Sequence, residues 1–296
     1  MGQPGQAGQL RMLHWNIHSW RDGSGAPNHA AVAGLIRETA PDVVSLVEVR
    51  ESWGNPSQLA ELSERLGYHG VFVPALEFGG APPALGYGNA LLTKLPMVAV
   101  QQWEIHSPGR YRGTEPSEPR TAACARVTLG GARLWVISTH LPASNSSDRA
   151  HALSRFAALL GQLDAPWLAC GDFNTPASTW AGELPGATFW PDPPKATFPA
   201  RRAIRAIDYC VASPGVGVER ARVLRTAGSD HRPVLVTARI AEHPAPRPTE
   251  PGPAESGPGE AGARRLDGPG PGQQGEPGQT RRRGRRRRLL PRRRVH

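Results

Sequence analysis

The chain has 296 residues, of which 39% are hydrophobic, so it is long enough to form one sizeable core. Its formal net charge is +10, and no apolar run reaches the roughly 18 residues that a membrane-spanning helix needs. Residues 1–13 lack the apolar segment of a secretion signal. We therefore expect a soluble, cytoplasmic protein without a membrane span, and we take a monomer as the starting expectation.

The last part of the chain differs in composition from the rest. Residues 242–296 contain 10 Pro and 10 Gly, and their 13 Arg against 6 acidic residues give +7 of the net charge. So few apolar side chains cannot offset the entropy of ordering the segment, which predicts a disordered tail. Ten arginines in residues 281–294 predict non-specific binding to polyanions. Residues 1–9 are predicted to be flexible, which leaves residues 10–241 as one domain.

Hydrophobic periodicity predicts many strands and few helices in that domain. In chain order we predict a strand over 10–18, a helix over 29–39 capped by Asn28, a strand over 42–49 closed by Glu48, and a helix over 57–66. Strands follow over 68–75, 89–94, 123–129 and 132–141, then a helix to 163, then strands over 165–174, 206–213 and 231–240. Helices scattered among so many strands favour two packed sheets with helices outside them.

Polar residues recur at the ends of these strands. Asp172 and Asn174 lie two positions apart in "GDFN", so in an extended chain they point the same way. Six further polar residues occupy comparable places: Asn16, Glu48, His140, Asp208, Asp230 and His231. Taken singly, each could be a cap, a solvated carboxylate or a hydrogen-bonded core histidine. Together they indicate a site, because functional groups concentrate where rigid strands end.

The order of these motifs resembles the endonuclease/exonuclease/phosphatase (DNase I-like) superfamily of divalent-metal phosphoesterases. The matching stretches are "HWNIH", "PDVVSLVEV", "GYGNALLTKLP", "STHL", "GDFNT", "AIDYCVAS" and "SDHRPV". They cover nearly all of residues 10–240 and none of the tail. The resemblance implies an α/β (α+β) fold, a four-layer α/β/β/α sandwich with the site at one mouth of the paired sheets.

The resemblance also implies roles for the polar residues. Glu48 would be the main metal ligand, with Asn16 and Asp230 assisting. Since oxygen donors without a cysteine cluster suit a hard cation, Mg²⁺ or Mn²⁺ is expected. Asp208 would orient His231, and either His231 or Asp172 would be the base that deprotonates water, with Asn174 beside it. The two candidate bases stay unranked.

His140 resembles the second histidine of the DNase I, sphingomyelinase and inositol-phosphatase branches, rather than the abasic-site endonucleases. Asn89 is expected to orient its ring without stabilising a charge, so His140 would donate a hydrogen bond to phosphate. Arg120 is a candidate phosphate contact, and its alternative is an ordinary surface arginine.

Substrate prediction depends on less specific features. Residues 179–205 interleave aromatic and cationic side chains, as nucleic-acid contacts do, although aromatics covering the core edge beside solvated arginines would give the same pattern. The leading hypothesis is a metal-dependent phosphodiesterase acting on nucleic acid. The alternatives are a phospholipid or inositol-phosphate phosphoesterase and a catalytically inactive phosphate-binding member. Cys170 and Cys210, both in apolar runs, are expected to be buried thiols rather than a disulfide.

Overall fold

Within the residues that this computed structural model describes, 8–52, 57–78, 85–107 and 118–240, the chain forms twelve strands and three α-helices. The strands β1 to β12 are Gln9–Asn16, Val43–Ser52, His69–Phe78, Leu85–Thr93, Met97–His106, Arg120–Leu129, Ala132–His140, Trp167–Asp172, Thr188–Trp190, Asp208–Ala212, Val216–Val223 and Val234–Ile240. The helices α1 to α3 are His29–Thr39, Gln58–Leu66 and Ser146–Leu160. Residues 1–7 of the predicted flexible start and the whole predicted tail, 242–296, lie outside the described residues.

The strands form two six-stranded sheets. One has the order β11-β12-β1-β2-β4-β3 and the other β5-β6-β7-β8-β10-β9. Two neighbouring pairs are parallel, β1 with β2 and β7 with β8, and the other paired strands run antiparallel. Each sheet therefore has two parallel strands at its centre whose carboxyl ends reach the same edge.

Three apolar clusters hold four layers together. The largest contains inward residues of both sheets, such as Leu10, Val43, Ala125 and Val136. A second joins the outer face of one sheet to α3, and a third joins the outer face of the other to α1 and α2. The predicted α/β/β/α sandwich is confirmed. No helix among the described residues is long and apolar enough to cross a membrane.

Local sequence signals explain the ends of α2 but not the start of α1. Ser57 caps α2 by accepting a hydrogen bond from the Ala60 amide, and Gly67 ends it with a left-handed φ of 70°. Asn28 was predicted to cap α1, and this prediction is wrong. Its side chain instead donates to the carbonyls of Ile17, Arg21 and Gly228, tying three loops together.

The strand predictions missed β5, β9 and β11. Strand β9 has only three residues, and β5 and β11 lie at sheet edges where exposed polar residues interrupt the apolar pattern. Strand β2 also continues past Glu48, because the ladder with β4 absorbs an extra residue between Val47 and Val49 as a bulge.

The expectation of free thiols at Cys170 and Cys210 is wrong. The two residues lie directly opposite each other on the antiparallel strands β8 and β10 and form a disulfide. Their separation of 40 positions along the sequence hid this contact, because it depends on which strands become neighbours. Cys124 is a free, buried thiol.

Candidate active site

The topology brings the predicted polar residues to one edge of the sandwich. Asn16, His140 and Asp172 end strands β1, β7 and β8, whose carboxyl ends meet at that edge. Asp208 begins β10 directly opposite Asp172, and His231 precedes β12, which pairs antiparallel with β1. Residues from positions 16 to 231 therefore share one site.

Close approach of β7 and β8 aligns two of these side chains. His140 and Asp172 are partners in the parallel register. One residue earlier, Gly171 lies so near β7 that a Cβ atom would come within 2.5 Å of the Thr139 carbonyl oxygen. The glycine of "GDFN" is therefore needed for strand packing, since any side chain would push the two strands apart.

A bulge directs Glu48 into the site. Glu48 has a φ of 56°, in the left-handed region, where it interrupts the ladder between β2 and β4. Its flanking residues Val47 and Val49 stay buried in the core. A non-glycine residue in this conformation is uncommon, and such strain concentrates at functional positions.

Asn16 joins the carboxylates of the two sheets. Its Nδ2 atom donates to Glu48 Oε1 at 2.9 Å and to Asp172 Oδ2 at 3.1 Å. Its Oδ1 atom accepts the His18 amide at 3.0 Å. The sequence suggested Asn16 as an assisting metal ligand, but here it presents its nitrogen to the acids and acts as a bridge between them.

The buried residues Asp208 and His231 form a close pair. His231 Nδ1 lies 2.9 Å from Asp208 Oδ2, Thr197 donates its hydroxyl to the same oxygen at 2.6 Å, and Phe198 packs on the imidazole with ring centroids 4.6 Å apart. Burial acts to lower the pKa of His231, but the charges of Asp208 and Asp172 outweigh it and raise this pKa to about 10. The imidazole is therefore positively charged at neutral pH.

The two aspartates respond in opposite directions. Burial and the neighbouring Asp208 charge raise the pKa of Asp172 to about 7. Burial also acts to raise the pKa of Asp208, but the His231 charge and hydrogen bonding from His14 and His231 lower it well below its ordinary value. Asp208 thus remains ionised, while Asp172 can gain or lose a proton near neutral pH.

His140 lies on the other side of Asp172 beside Arg120. Its Nδ1 atom is 3.0 Å from Arg120 Nη1, and its Nε2 atom is 3.0 Å from Asn174 Nδ2 and 3.6 Å from Asp172 Oδ2. Burial and the Arg120 charge hold the pKa of His140 well below its ordinary value. The Arg120 guanidinium and the Asn174 amide nitrogen can both only donate, whereas a neutral imidazole has a single accepting nitrogen, so only one of these two contacts is a hydrogen bond to the ring.

Two expectations about this side of the site need correction. Arg120 is buried, with an exposure of 6%, rather than a surface arginine. Asn89 donates to the Thr121 carbonyl at 2.7 Å, and it is Arg120 that contacts the ring of His140. The arginine thus takes the place beside the histidine that the resemblance assigned to Asn89.

Sequence reasoning overlooked His14. The ring is fully buried, with Nδ1 at 2.9 Å from Ser45 Oγ and Nε2 at 3.6 Å from Asp208 Oδ1. The ring lies beside the ionised Asp208 and helps to lower the pKa of that carboxyl. The spacing was a usable signal, since His14 precedes Asn16 by two positions and therefore shares its face of β1.

Asp230 lies at the rim of the site. Its Oδ1 atom is 3.8 Å from His18 Nδ1 and accepts the Ser229 hydroxyl at 3.3 Å. The hydroxyl of Ser229 is also 2.7 Å from the carbonyl oxygen of Asn16. Asp230 is thus held near the end of β1, while its role as a metal ligand stays a prediction.

The donor set fits a hard divalent cation. Side-chain atoms of Asp172, Asp208 and His231 all lie within 4.8 Å of one another, and because the charged His231 has no lone pair to offer, the carboxylates would be the ligands. Glu48, half-buried, is linked to Asp172 through Asn16. Two buried carboxylates so close together repel each other, as the raised pKa of Asp172 shows, and a cation would relieve that repulsion.

Two stacked six-stranded sheets with helices on their outer faces form a phosphoesterase fold, and the polar cluster lies at the edge where the central parallel strands end. The chain belongs to the Endonuclease/Exonuclease/phosphatase family, whose model matches residues 13–231. Members of this family are generally phosphoester hydrolases and typically use a divalent metal. No curated protein sequence gives a significant match.

Solved structures share the fold. An endonuclease/exonuclease/phosphatase from Beutenbergia cavernae is 24% identical, with a TM-score of 0.63 over 80% of this chain and 73% of that one. A Bacteroides thetaiotaomicron mannosyl-6-phosphatase is 16% identical, with a TM-score of 0.62 over 78% and 100%. The human Nocturnin catalytic domain is 19% identical, with a TM-score of 0.58 over 79% and 94%. At these identities the likeness supports the fold and not a substrate.

Proposed function

We propose that this protein is a Mg²⁺- or Mn²⁺-dependent phosphodiesterase that hydrolyses nucleic acid. The observation that carries the proposal is the position of Asp172 between two histidines of opposite protonation. Asp172 Oδ2 lies 3.7 Å from Nε2 of the charged His231 and 3.6 Å from Nε2 of the neutral His140. Hydrolysis needs a base for water and donors for the phosphate oxygens, and this cluster offers both.

In this proposal Asp172 is the base. With a pKa of about 7 it can accept a proton from water near neutral pH, whereas His231 already carries its proton. The charged His231 instead stabilises the negative phosphate oxygens, and His140 donates to them when its hydrogen is on Nε2. The two environments thus support Asp172 over His231 as the proposed base.

Glu48 would hold the divalent cation, and Asp230 is a further candidate ligand at the rim, while Asp172 is linked to Glu48 through Asn16. When bound, the cation neutralises charge on the phosphate. Asn16 keeps the two carboxylates apart and oriented, since its nitrogen hydrogen-bonds both. Asn174 donates to the Leu141 carbonyl and so fixes its amide against His140.

A substrate panel tests the proposal. Plasmid DNA, single-stranded DNA, RNA, phosphoinositides and a sugar phosphate are each incubated with the protein in Mg²⁺ or Mn²⁺. We expect hydrolysis of nucleic acid that Glu48→Gln and His231→Ala each abolish. If only phosphoinositides are hydrolysed, the proposed substrate changes from nucleic acid to a lipid head group. If none of the phosphoesters is hydrolysed, the proposal is overturned.

Several expectations from the sequence become parts of this proposal. We expect a monomer whose arginine-rich tail strengthens binding to polyanions without taking part in the chemistry.

The cytoplasm was the expected compartment, and the Cys170–Cys210 disulfide argues against it, because reducing compartments rarely preserve disulfides. Alkylating the thiols in intact cells before purification will show whether this pair is oxidised there.

A further inference from the structure

A groove of about 780 Å³ begins at the rim of the candidate site. Ser229 and Asp230, which immediately precede His231 in the chain, form the end nearest the site. The Ala200 amide donates to the Asp230 carbonyl, which joins the segment around Ala200 to this end of the groove. A ligand whose scissile group contacts His231 would therefore extend naturally into this groove.

The groove is lined by an excess of positive charge. Arg201, Arg202, Arg225 and Arg232 line it, against two acids. Among the described residues none of these arginines lies within 4.0 Å of a carboxylate, whereas Arg65, Arg120, Arg126 and Arg239 each do. Arg201, Arg202 and Arg225 are exposed. Guanidinium groups without an acidic partner on one groove attract phosphate, which they can bind through two parallel hydrogen bonds.

The two acids do not cancel this charge. Asp22 directs Oδ1 to its own turn, where it accepts from the Ser24 amide and hydroxyl and the Ala26 amide at 2.6–3.0 Å. Asp230 accepts from Ser229 and lies beside His18. Arg232 donates Nε to the Ala200 carbonyl at 2.7 Å, which holds the side chain in place. The groove therefore keeps a net positive charge with one arginine already oriented.

The groove lining also includes apolar surface, which suits the sugars that lie between the phosphates of a nucleic acid. Pro199, Ala200 and Ala227 contribute apolar surface between the arginines. The volume is within the range of pockets that enclose ligands of nucleotide size. An alternation of apolar surface and guanidinium groups matches a sugar-phosphate chain, in which sugars and phosphates alternate.

Building on the proposed function, we infer that this groove binds a flanking phosphate of the substrate and thereby selects chains of linked nucleotides over esters with a single phosphate. Arg201, Arg202 and Arg225 are the specificity-determining residues. The site recognises phosphate spacing rather than bases, since guanidinium groups on phosphates carry no sequence information.

The first test compares two substrates with the full-length chain. The ratio of kcat/KM for a thymidine octanucleotide to that for the p-nitrophenyl ester of thymidine 5′-monophosphate is measured in Mn²⁺. We expect Arg201→Ser/Arg202→Ser and Arg225→Ser each to lower this ratio about tenfold or more. The slope of log(kcat/KM) for the octanucleotide against log[salt] should flatten by about 0.7 for each phosphate that the variant no longer neutralises. Arg133→Ser, an exposed arginine at the far end of β7, should leave the ratio unchanged.

The second test does not depend on hydrolysis. Hydrogen exchange is followed with and without the octanucleotide in Ca²⁺, and we expect protection of residues 199–202 and 225–232 that is absent in the double variant. An unchanged ratio together with no protection would overturn the inference while leaving the proposed function intact. Protection by phosphoinositide vesicles but not by the octanucleotide would also overturn it. If no phosphoester is hydrolysed, the proposed function fails, and the exchange experiment alone decides whether the groove binds a phosphate chain.

Discussion

The two histidines on either side of Asp172 occupy opposite electrostatic environments. His231 faces Asp208 and Asp172, whose charges raise its pKa to about 10. His140 is also buried but faces Arg120, and its pKa is well below the ordinary value. One residue type therefore provides a cation on one side of the site and a neutral ring on the other. Neighbouring charge decides between these states, because burial alone would make both rings neutral.

The largest expected effect on kcat comes from a substitution beside His231. Asp208→Asn removes the charge that keeps His231 protonated, so burial should then lower the pKa of His231. We expect kcat on the substrate found in the panel to fall about 1,000-fold, and the imidazole resonances to titrate at lower pH by NMR. Asp164→Asn, an exposed aspartate near Arg126, is the matched control. A kcat within about threefold of the parent would contradict the assignment.

A substitution beside His140 should lower kcat by a smaller factor. Arg120→Met removes the guanidinium beside Nδ1 and its repelling charge, so the pKa of His140 should rise although burial still lowers it. We expect kcat to fall about 100-fold, because the His140 ring loses its contact with the Arg120 guanidinium and is no longer held neutral by that charge. Arg126→Met changes an arginine on the same strand that pairs with Asp164 outside the site, and it should keep full activity. Equal losses in both variants would point to damage of β6 rather than of the site.

The pH dependence sharpens the comparison. In the protein without metal, Asp172 should titrate near pH 7 and His231 near pH 10. Both pKa values are raised in the folded state. The free energy that each group contributes to folding is therefore largest below the pKa of that group in the unfolded chain. It is lost as pH rises, through about 7 for Asp172 and through about 10 for His231. Calorimetric Tm values measured without metal should decline across these two windows, and a rise there would contradict the signs.

A smaller effect on kcat is expected at His14, which lies behind the Asp208–His231 pair. His14→Leu removes the ring beside Asp208 Oδ1 and should lower kcat about tenfold with little change in KM, because Asp208 and then His231 lose their orientation. Met12→Leu on the same strand conserves volume and should retain kcat. If His14→Leu raised KM at constant kcat, the side chain would affect substrate binding instead.

The smallest effect should follow removal of the tail. A chain ending at Glu242 should keep its kcat on a single-phosphate ester within about twofold, and its KM for nucleic acid should rise and become less sensitive to salt, because the arginine run no longer contributes. Kinetics of both substrates over a salt series will measure this. Loss of turnover on the small ester would show that the folded domain extends beyond residue 241.

The sequence predicted the layers and the edge of the sheets that carries the site, since strand-end positions and order determine both. Asn16, Asp172, Asp208 and His231 meet as the motifs implied. What could not be read from the sequence depends on contacts between distant residues. The partnership of Arg120 with His140 requires the β6–β7 pairing, the His14–Asp208 contact requires packing of one sheet on the other, and the protonation states follow from both.

The Cys170–Cys210 bond closes a covalent ring around Asp172, Asn174, the groove arginines Arg201 and Arg202, and Asp208. A protease that cleaves after either exposed arginine would therefore leave the two fragments linked. On a non-reducing gel the nicked protein should migrate near the intact chain, and reductant should release the pieces. Limited tryptic digestion thus reports the oxidation state of the pair without any assay of activity.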